Sequence, residues 1–324
     1  MTLAMAMTQT GGPEVLKAID VEVPAPGPLD VRIKQSVIGV NFVDTYFRSG
    51  LYPVASLPAV IGFEGAGIVE AVGGEVARLR PGDRVAYTGA PIGAYAESRL
   101  LPESRLVRIP DALSFETAGS SMLRGLTAHM LLHNVHPTKR GDWILVHAAA
   151  GGLGQIVVRW AKRLGANVIG TVGSPGKIDL ARAAGADHVL LHTDPHWTDD
   201  AVRVAERRGV HLAIDGIGGS MVAQTLRVVR PFGVVASLGQ PAGPIPPVRV
   251  EDLGFARSIA LMRPSSLAYA DDPDLYARGT SDLLDVLVDG MVGPIGARYA
   301  LTDAARAHAE LEAGRTTGSV ILTV

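Results

Sequence analysis

The chain contains no cysteine. Disulfides, thiolate zinc sites, iron–sulfur clusters and a cysteine nucleophile are thereby excluded by chemistry. Aromatic side chains make up only 5% of the 324 residues, so platforms for stacking nucleic-acid bases are poorly supplied. Neither sign of charge dominates: 30 Lys and Arg stand against 32 Asp and Glu, a net charge of −2 that gives no general drive toward DNA, RNA or an anionic membrane. No stretch approaches the roughly 18–20 uninterrupted apolar residues of a membrane helix. Met1 to Thr10 also lacks the basic flank and apolar core of a secretory signal. A Gly-x-Ser-x-Gly nucleophile elbow does not occur, and Ser120 and Ser121 read as helix residues. These absences predict a cytoplasmic protein with neither nucleic-acid nor membrane partners.

What is present is 47% hydrophobic side chains, 38 Gly and 21 Pro, enough for about two compact domains at roughly 100–200 residues each. The first third reads as short alternating segments, among them Val31, Ile33, Gln35 and Val37, then Gly65 to Val72 and Arg84 to Tyr87, with Pro81-Gly82-Asp83 as turn chemistry. From about Gly125 the rhythm changes to short apolar runs separated by helical stretches. The runs are Trp143–His147, Asn167–Thr171, His188–Leu191, Val210–Ile214, Gly233–Ser237 and Ile259–Met262. Such alternation predicts parallel strands joined by crossover helices, a doubly wound α/β sheet. After Arg263-Pro264 come a helix around Leu275–Asp289, a strand near Ala297–Leu301, a helix near Ala304–Ala313 and a last strand, Ser319–Val324. We assign these to the first domain, so that 1–124 and 266–324 form a β-rich domain and 125–265 the doubly wound one. The run Pro241 to Pro247 reads as a loop over a cleft.

After the strand Trp143–His147 comes Ala149-Ala150-Gly151-Gly152-Leu153-Gly154, the dinucleotide fingerprint with Ala at its first glycine. Gly151 allows the backbone to approach a pyrophosphate and Gly154 allows helix and strand to pack closely. The phosphates would sit at the helix N-terminus, where backbone N–H groups and the dipole favour an anion. The bland alternative is a tight turn that binds nothing. An NAD site places an acid about 20 residues further on, at the ribose 2′-hydroxyl. Here the stretch Asn167 to Lys177 carries none and ends in Ser174 and Lys177, which suit a 2′-phosphate. The expected cofactor is therefore NADPH rather than NADH.

With the first domain's segments added, the sequence resembles the zinc-free quinone oxidoreductases of the medium-chain dehydrogenase/reductase superfamily, the group that includes zeta-crystallin. The resemblance spans essentially the whole chain. It is most specific at Asn41 to Pro53, at Gly62-Phe63-Glu64-Gly65-Ala66-Gly67, at His147 to Gly154 and at Arg263-Pro264-Ser265. Zinc-dependent relatives carry a Cys where this chain has Asn41 and a His where it has Phe63. The resemblance implies a Rossmann cofactor domain, a GroES-like catalytic domain and a homodimer. It places Asn41 and Thr127 against the nicotinamide, and Ala150, Gly151, Gly152, Leu153 and Gly154 around the pyrophosphate. It puts Gly173, Ser174 and Lys177 at the adenosine phosphate, Leu238, Gly239 and Gln240 beside the nicotinamide half, and Tyr46, Tyr52 and Arg263 at the substrate. His192 stands where the family often has an adenine-side Tyr, and Arg159 where its helix signature has Gln.

Without a metal to polarise a carbonyl, the fitting acceptor is already electrophilic: a quinone or another conjugated carbonyl. Reduction then needs mainly positioning. Arg263, always cationic, can stabilise the oxygen that gains charge, and Tyr46 or Tyr52 can donate a hydrogen bond or stack on the ring. The rival readings are an enone or alkenal double-bond reductase using the same cofactor, and a non-catalytic, crystallin-like NADPH-binding protein. Asp44 and Arg48 have the spacing of an ordinary surface ion pair on a short helix. His129, His133 and His136 could share a helix face, and His188, His192 and His196 form a second spaced set, but neither carries the glutamate of a helical metalloprotease motif. One expectation is directly measurable: Lys177→Ala weakens NADPH by about 1–3 kcal/mol, the range for a charge-assisted contact, and leaves NADH nearly unchanged in a binding titration.

Overall fold

The computed structural model describes residues 1–255 and 257–324. The chain divides into two compact units, Met1–Leu126 with Ser266–Val324, and Thr127–Ser265.

The first unit begins with β1 (Thr2–Met7), β2 (Leu16–Val21), β3 (Asp30–Val40), α1 (Phe42–Ser49), β4 (Ala59–Val60) and β5 (Glu64–Val72). It continues through β6 (Arg84–Thr88), β7 (Ser98–Pro102), β8 (Val107–Arg108) and α2 (Phe115–Gly119) into α3 (Met122–His129), within which the division falls. The second unit contains β9 (Trp143–Val146), α4 (Gly152–Arg163), β10 (Asn167–Val172), α5 (Ile178–Ala183), β11 (His188–Leu191) and α6 (Trp197–Val204). Then come β12 (Val210–Asp215), α7 (Met221–Val228), β13 (Val229–Ser237) and β14 (Ala260–Met262). The chain returns to the first unit with α8 (Ser266–Asp271), α9 (Pro273–Val288), β15 (Ile295–Ala300), α10 (Ala304–Glu312) and β16 (Ser319–Thr323).

In the first unit a seven-stranded sheet runs β15-β16-β3-β5-β6-β8, with β7 also paired to β3, and a three-stranded sheet runs β2-β1-β4. Alternation along β3 turns Val31, Ile33 and Gln35 inward, and a register shift between Gln35 and Val37 then hands the core face to Ile38 and Val40, while Val37 is buried outside that cluster. Val31 and Ile33 join Val69, Val85, Leu101, Val320 and Leu322 in one core. Gln35 is tolerated there because its amide is fully used: Nε2 donates to the carbonyls of Ala94 and Ala96, both at 2.6 Å, and Oε1 accepts from the Tyr87 hydroxyl at 2.6 Å. The β1-β2-β4 sheet was not anticipated from sequence. Residues 4 to 7 of β1 are all buried, so the strand shows no alternation.

The second unit holds a six-stranded, wholly parallel sheet in the order β11-β10-β9-β12-β13-β14, the doubly wound arrangement expected from the strand and helix rhythm. Strand β13 starts earlier than the pattern suggests, because Pro231 and Phe232 (φ 62) interrupt the apolar run without ending the strand. Six parallel strands present six carboxyl ends at one edge, and the loops that leave that edge are where such sheets bind ligands.

Close backbone approach sets one constraint in the first sheet. At Gly67, opposite the register shift in β3, a Cβ would lie 2.0 Å from the Lys34 carbonyl oxygen and 2.8 Å from Gln35 Cα. Gly67→Ala is expected to lower the unfolding free energy by about 1–3 kcal/mol in urea titrations, as overpacking does. Gly74→Ala, where nothing lies within 4 Å, should stay within about 0.5 kcal/mol of the parent.

Candidate active site

In the first unit the candidate residues gather around α1. Asn41 and Asp44 form a reciprocal capping box at its N-terminus, in which the Asp44 carboxylate accepts the Asn41 backbone N–H at 2.7 Å. Gly50, with φ 84, ends the helix. The chain then turns so that the Tyr52 N–H donates to the Tyr46 carbonyl at 3.0 Å, and the two rings meet edge to face with centroids 5.4 Å apart. Phe47 packs against both Tyr52 and the buried Phe63. Tyr46 and Tyr52 are thus brought together, Tyr46 buried and Tyr52 half-buried.

Beneath Asn41 lies a charge cluster that the sequence reading missed. Asn41 Nδ2 donates to Glu64 Oε1 at 2.7 Å, and the Leu123 N–H donates to Glu64 Oε2 at 2.7 Å. Arg124 Nη1 donates to Glu64 Oε1 at 3.1 Å and to the Ser120 carbonyl, while its Nη2 donates to the Val40 carbonyl at 2.6 Å. Burial pushes the Glu64 carboxyl up, against the pull of Arg124, Asn41 and Leu123. Burial likewise pushes Asp44 up to about 7, opposed by the Asn41 N–H and the Tyr95 hydroxyl. The Arg124 guanidinium thus pairs with Glu64, and Asp44 feels its charge only as the weakest of its influences.

Asp44 and Arg48 are not a surface ion pair. Their four-residue spacing does place them on one helix face, but that face is turned inward, toward α10. Arg48 is buried there and pairs with Glu312 at 2.7 Å and 3.0 Å, while Asp44 turns to Asn41 and Tyr95. Glu64 was visible inside the motif Gly62 to Gly67, but nothing in the sequence pairs it with Arg124, some 60 residues away.

In the second unit the candidates follow the carboxyl ends of the strands. After β9, the turn passes through Ala148 (φ 50) into α4, capped by Gly151. A Cβ on Gly154 would lie 2.3 Å from the Ala148 carbonyl oxygen, so only glycine lets helix and turn approach this closely. Gly151, Gly152 and Leu153 are half-buried, and Ala150 and Gly154 are buried. After β10 comes the acid-free run of Gly173, Ser174 and Lys177, in which the Lys177 N–H donates to the Ser174 carbonyl at 3.1 Å. His192, after β11, donates its backbone N–H to the Val172 carbonyl, and its ring lies where a Cβ on Gly173 would be 3.3 Å away. Burial and the charge of Lys177 hold its imidazole below the usual histidine range, and its Nδ1 is buried without a hydrogen-bond partner. After β13, the Leu238 N–H donates to the Asp215 carbonyl at 2.8 Å, Gly239 and Gln240 pack on the turn at Gly218 (φ 75), and Arg263, exposed at the end of β14, donates to Gln240 Oε1 at 3.3 Å. Thr127 is buried in α3. Asp215, unremarked in the sequence, ends β12 and accepts the N–H groups of Ile217 and Gly218.

The histidine sets disperse into packing. His129 and His133 stack at 4.4 Å beside Trp160, His136 pairs with Asp142 at 2.9 Å, and His188 lies against Trp143. Among the described residues no group of three or more His, Asp or Glu is arranged to hold a metal ion.

Residues 27–111 match the alcohol dehydrogenase GroES-like domain and residues 152–271 the zinc-binding dehydrogenase domain. The chain is 42% identical to a quinone oxidoreductase of Pseudomonas aeruginosa over 96% of both chains. It belongs to the quinone oxidoreductase family of the medium-chain dehydrogenases/reductases. Within that family it is also 37% identical to a 2-haloacrylate reductase of a Burkholderia species, over 99% of both chains. Its fold superposes on the quinone oxidoreductase of Pseudomonas syringae with a TM-score of 0.96 at 43% identity, each chain fully covered. The Escherichia coli quinone oxidoreductase complexed with NADPH gives 0.95 at 34% identity, over 99% of this chain and 100% of that one. The family model's zinc-binding description meets a chain in which Phe63 offers no ligand atom and the Asn41 amide nitrogen is committed to Glu64.

Two outcomes follow from the buried charges. Arg124→Met leaves Glu64 without its counter-charge and should lower the unfolding free energy by about 3–5 kcal/mol, part of which Glu64→Gln restores in the double variant. Asp44, raised when folded, contributes stability below its unfolded value near 4 that is lost as pH rises through about 7. Melting curves from pH 4 to 8 should therefore lose part of their downward slope in Asp44→Asn.

Proposed function

We propose that the chain is an NADPH-dependent quinone reductase that passes reducing equivalents to a quinone without a metal. The observation that carries this reading is the row of loops at one sheet edge: a glycine turn packed too closely for any side chain at Gly154, beside an acid-free strand end with Lys177 and His192 together. These residues fit a phosphorylated dinucleotide. The backbone of Ala150 to Gly154 would hold the pyrophosphate, and Gly173, Ser174 and Lys177 the 2′-phosphate, with the orphaned His192 Nδ1 beside them. Asn41, Thr127, Leu238, Gly239 and Gln240 are assigned to the nicotinamide half. When bound, NADPH supplies the hydride. The chain's own residues position the acceptor: Tyr46 and Tyr52 present an aromatic pair to its ring, and Arg263 offers a permanent cation to the oxygen that gains charge.

A second reading, reduction of a conjugated carbon–carbon double bond, is favoured by the 2-haloacrylate reductase among the relatives. We also infer a homodimer joined through β14. That strand lies at the sheet's outer edge, with Phe232, Phe255 and Met262 exposed in and beside it. No helix among the described residues is long and apolar enough to cross a membrane, and we place the protein in the cytoplasm.

The test is cofactor consumption with ortho- and para-quinones, an alkenal and 2-haloacrylate, using NADPH and NADH, with and without a chelator. Quinone turnover with NADPH, indifferent to the chelator, is the expected result. Turnover of the alkenal or haloacrylate with quinones inert would favour the second reading. Chelator sensitivity would overturn the metal-free reading.

A further inference from the structure

A continuous hydrogen-bonded chain runs through the first unit from Asn41 to α10. Asp44 Oδ2 accepts the Asn41 N–H at 2.7 Å and the Tyr95 hydroxyl at 3.1 Å, while its Oδ1 is buried without a partner. The Tyr95 oxygen lies 2.8 Å from His308 Nε2, and His308 Nδ1 lies 3.1 Å from Arg48 Nη1. Arg48 is itself held by Glu312 and the Gly11 carbonyl. Asp44, Tyr95, His308 and Arg48 are all buried, and the chain reaches solvent only at Glu312.

The direction of every bond in this chain is forced. A guanidinium only donates, so His308 Nδ1 accepts. Burial and the charge of Arg48 hold His308 down at about 3, so the ring is neutral and its one proton sits on Nε2. That N–H donates to the Tyr95 oxygen, which leaves the Tyr95 hydrogen to point at Asp44. Tyr95 keeps its proton because burial and Asp44 raise it well above the ordinary phenol value. The carboxylate thus receives a donor whose orientation is set from α10. The remaining charges facing Asp44 are Glu64 and Arg124, with the Tyr87 phenol also coupled to it.

We propose that Tyr95 and His308 are positioning residues of the reductase: the donor chain they form holds the Asp44 carboxylate on the Asn41 backbone N–H and so fixes the first turn of the helix that carries Tyr46. A neutral acid is a weaker acceptor than a carboxylate, so this grip follows the ionisation of Asp44. The inference rests on the reading that Asn41 and Tyr46 serve the reaction.

The experiment measures kcat and KM for a benzoquinone at saturating NADPH from pH 5.5 to 8.5 in the full chain, together with the Kd of NADPH. The wild type should show kcat/KM rising through an inflection near 7. Tyr95→Phe, which removes one donor from the carboxylate, should move the inflection alkaline by about one pH unit, roughly a tenfold loss at fixed pH below it, with recovery at high pH. The NADPH Kd should stay within about twofold, because the residues assigned to the pyrophosphate and the 2′-phosphate belong to the second unit. His308→Gln, whose amide can accept from Arg48 and donate to Tyr95, should stay close to the wild type, and His308→Leu should follow Tyr95→Phe. A flat wild-type profile, or the same fractional loss at every pH in Tyr95→Phe, overturns the proposal. Should the variants fail to fold, ¹⁵N spectra of the wild type decide: a neutral His308 protonated at Nε2 across this range supports it, and the Nδ1 tautomer or an imidazolium overturns it. Asn41→Ala and Tyr46→Phe separate the two levels. If neither changes quinone turnover, the site reading itself fails.

Discussion

The buried pairing of Glu64 with Arg124 is the interaction on which the arrangement around α1 depends. Taking a carboxylate and a guanidinium out of water costs several kcal/mol per ion, and their attraction repays this only when the remaining donors and acceptors are also met. Here they are: Glu64 accepts from Asn41, Leu123 and Arg124, and Arg124 spends its other contacts on the carbonyls of Ser120 and Val40. The pair ties the start of β5, the start of α3 and the end of β3 to one point, and Asn41 hangs from it. Nearby Asp44 has no guanidinium of its own and depends on neutral donors. That difference leaves one carboxylate anchored by an ion pair and the other, raised by burial to about 7, held by the orientation of its neutral donors.

In the second unit it is the backbone that shapes the sheet edge. Parallel strands deliver six loops to one side, and backbone geometry does the shaping: Ala148 in a positive-φ conformation, Gly154 with no room for a methyl group, Gly218 against the Gln240 backbone. Side-chain chemistry enters only at a few places, Lys177 and His192 at one end and Arg263 with Gln240 at the other.

Much of this was legible in the sequence, because it is written in local patterns. The strand and helix rhythm after Gly125, the spacing of Gly151 and Gly154 and the missing acid near Lys177 are all contiguous signals; the doubly wound sheet followed from the rhythm, and the family from the motifs Asn41 to Pro53, Gly62 to Gly67, His147 to Gly154 and Arg263 to Ser265. What escaped was non-local. Arg124 meets Glu64 and His308 meets Tyr95 only through the fold, and a buried helix face reads the same as a solvated one when its residues are charged, as with Asp44 and Arg48. The β1-β2-β4 sheet escaped for a related reason: a strand buried on both faces loses the alternation by which strands are recognised.

The first unit is discontinuous: β16, at residues 319–323, lies directly against β3, with Ile321 opposite Gly39. During synthesis on the ribosome the parallel sheet is emitted as one uninterrupted stretch and can complete itself early. The sheet of the first unit must wait: β7 pairs with β3 over Asp30–Lys34, but the Val37–Val40 end lacks its partner until β16 has been made. That end of β3 is therefore exposed while the second unit folds, and substitutions in β16 strike the pairing of a strand made long before it.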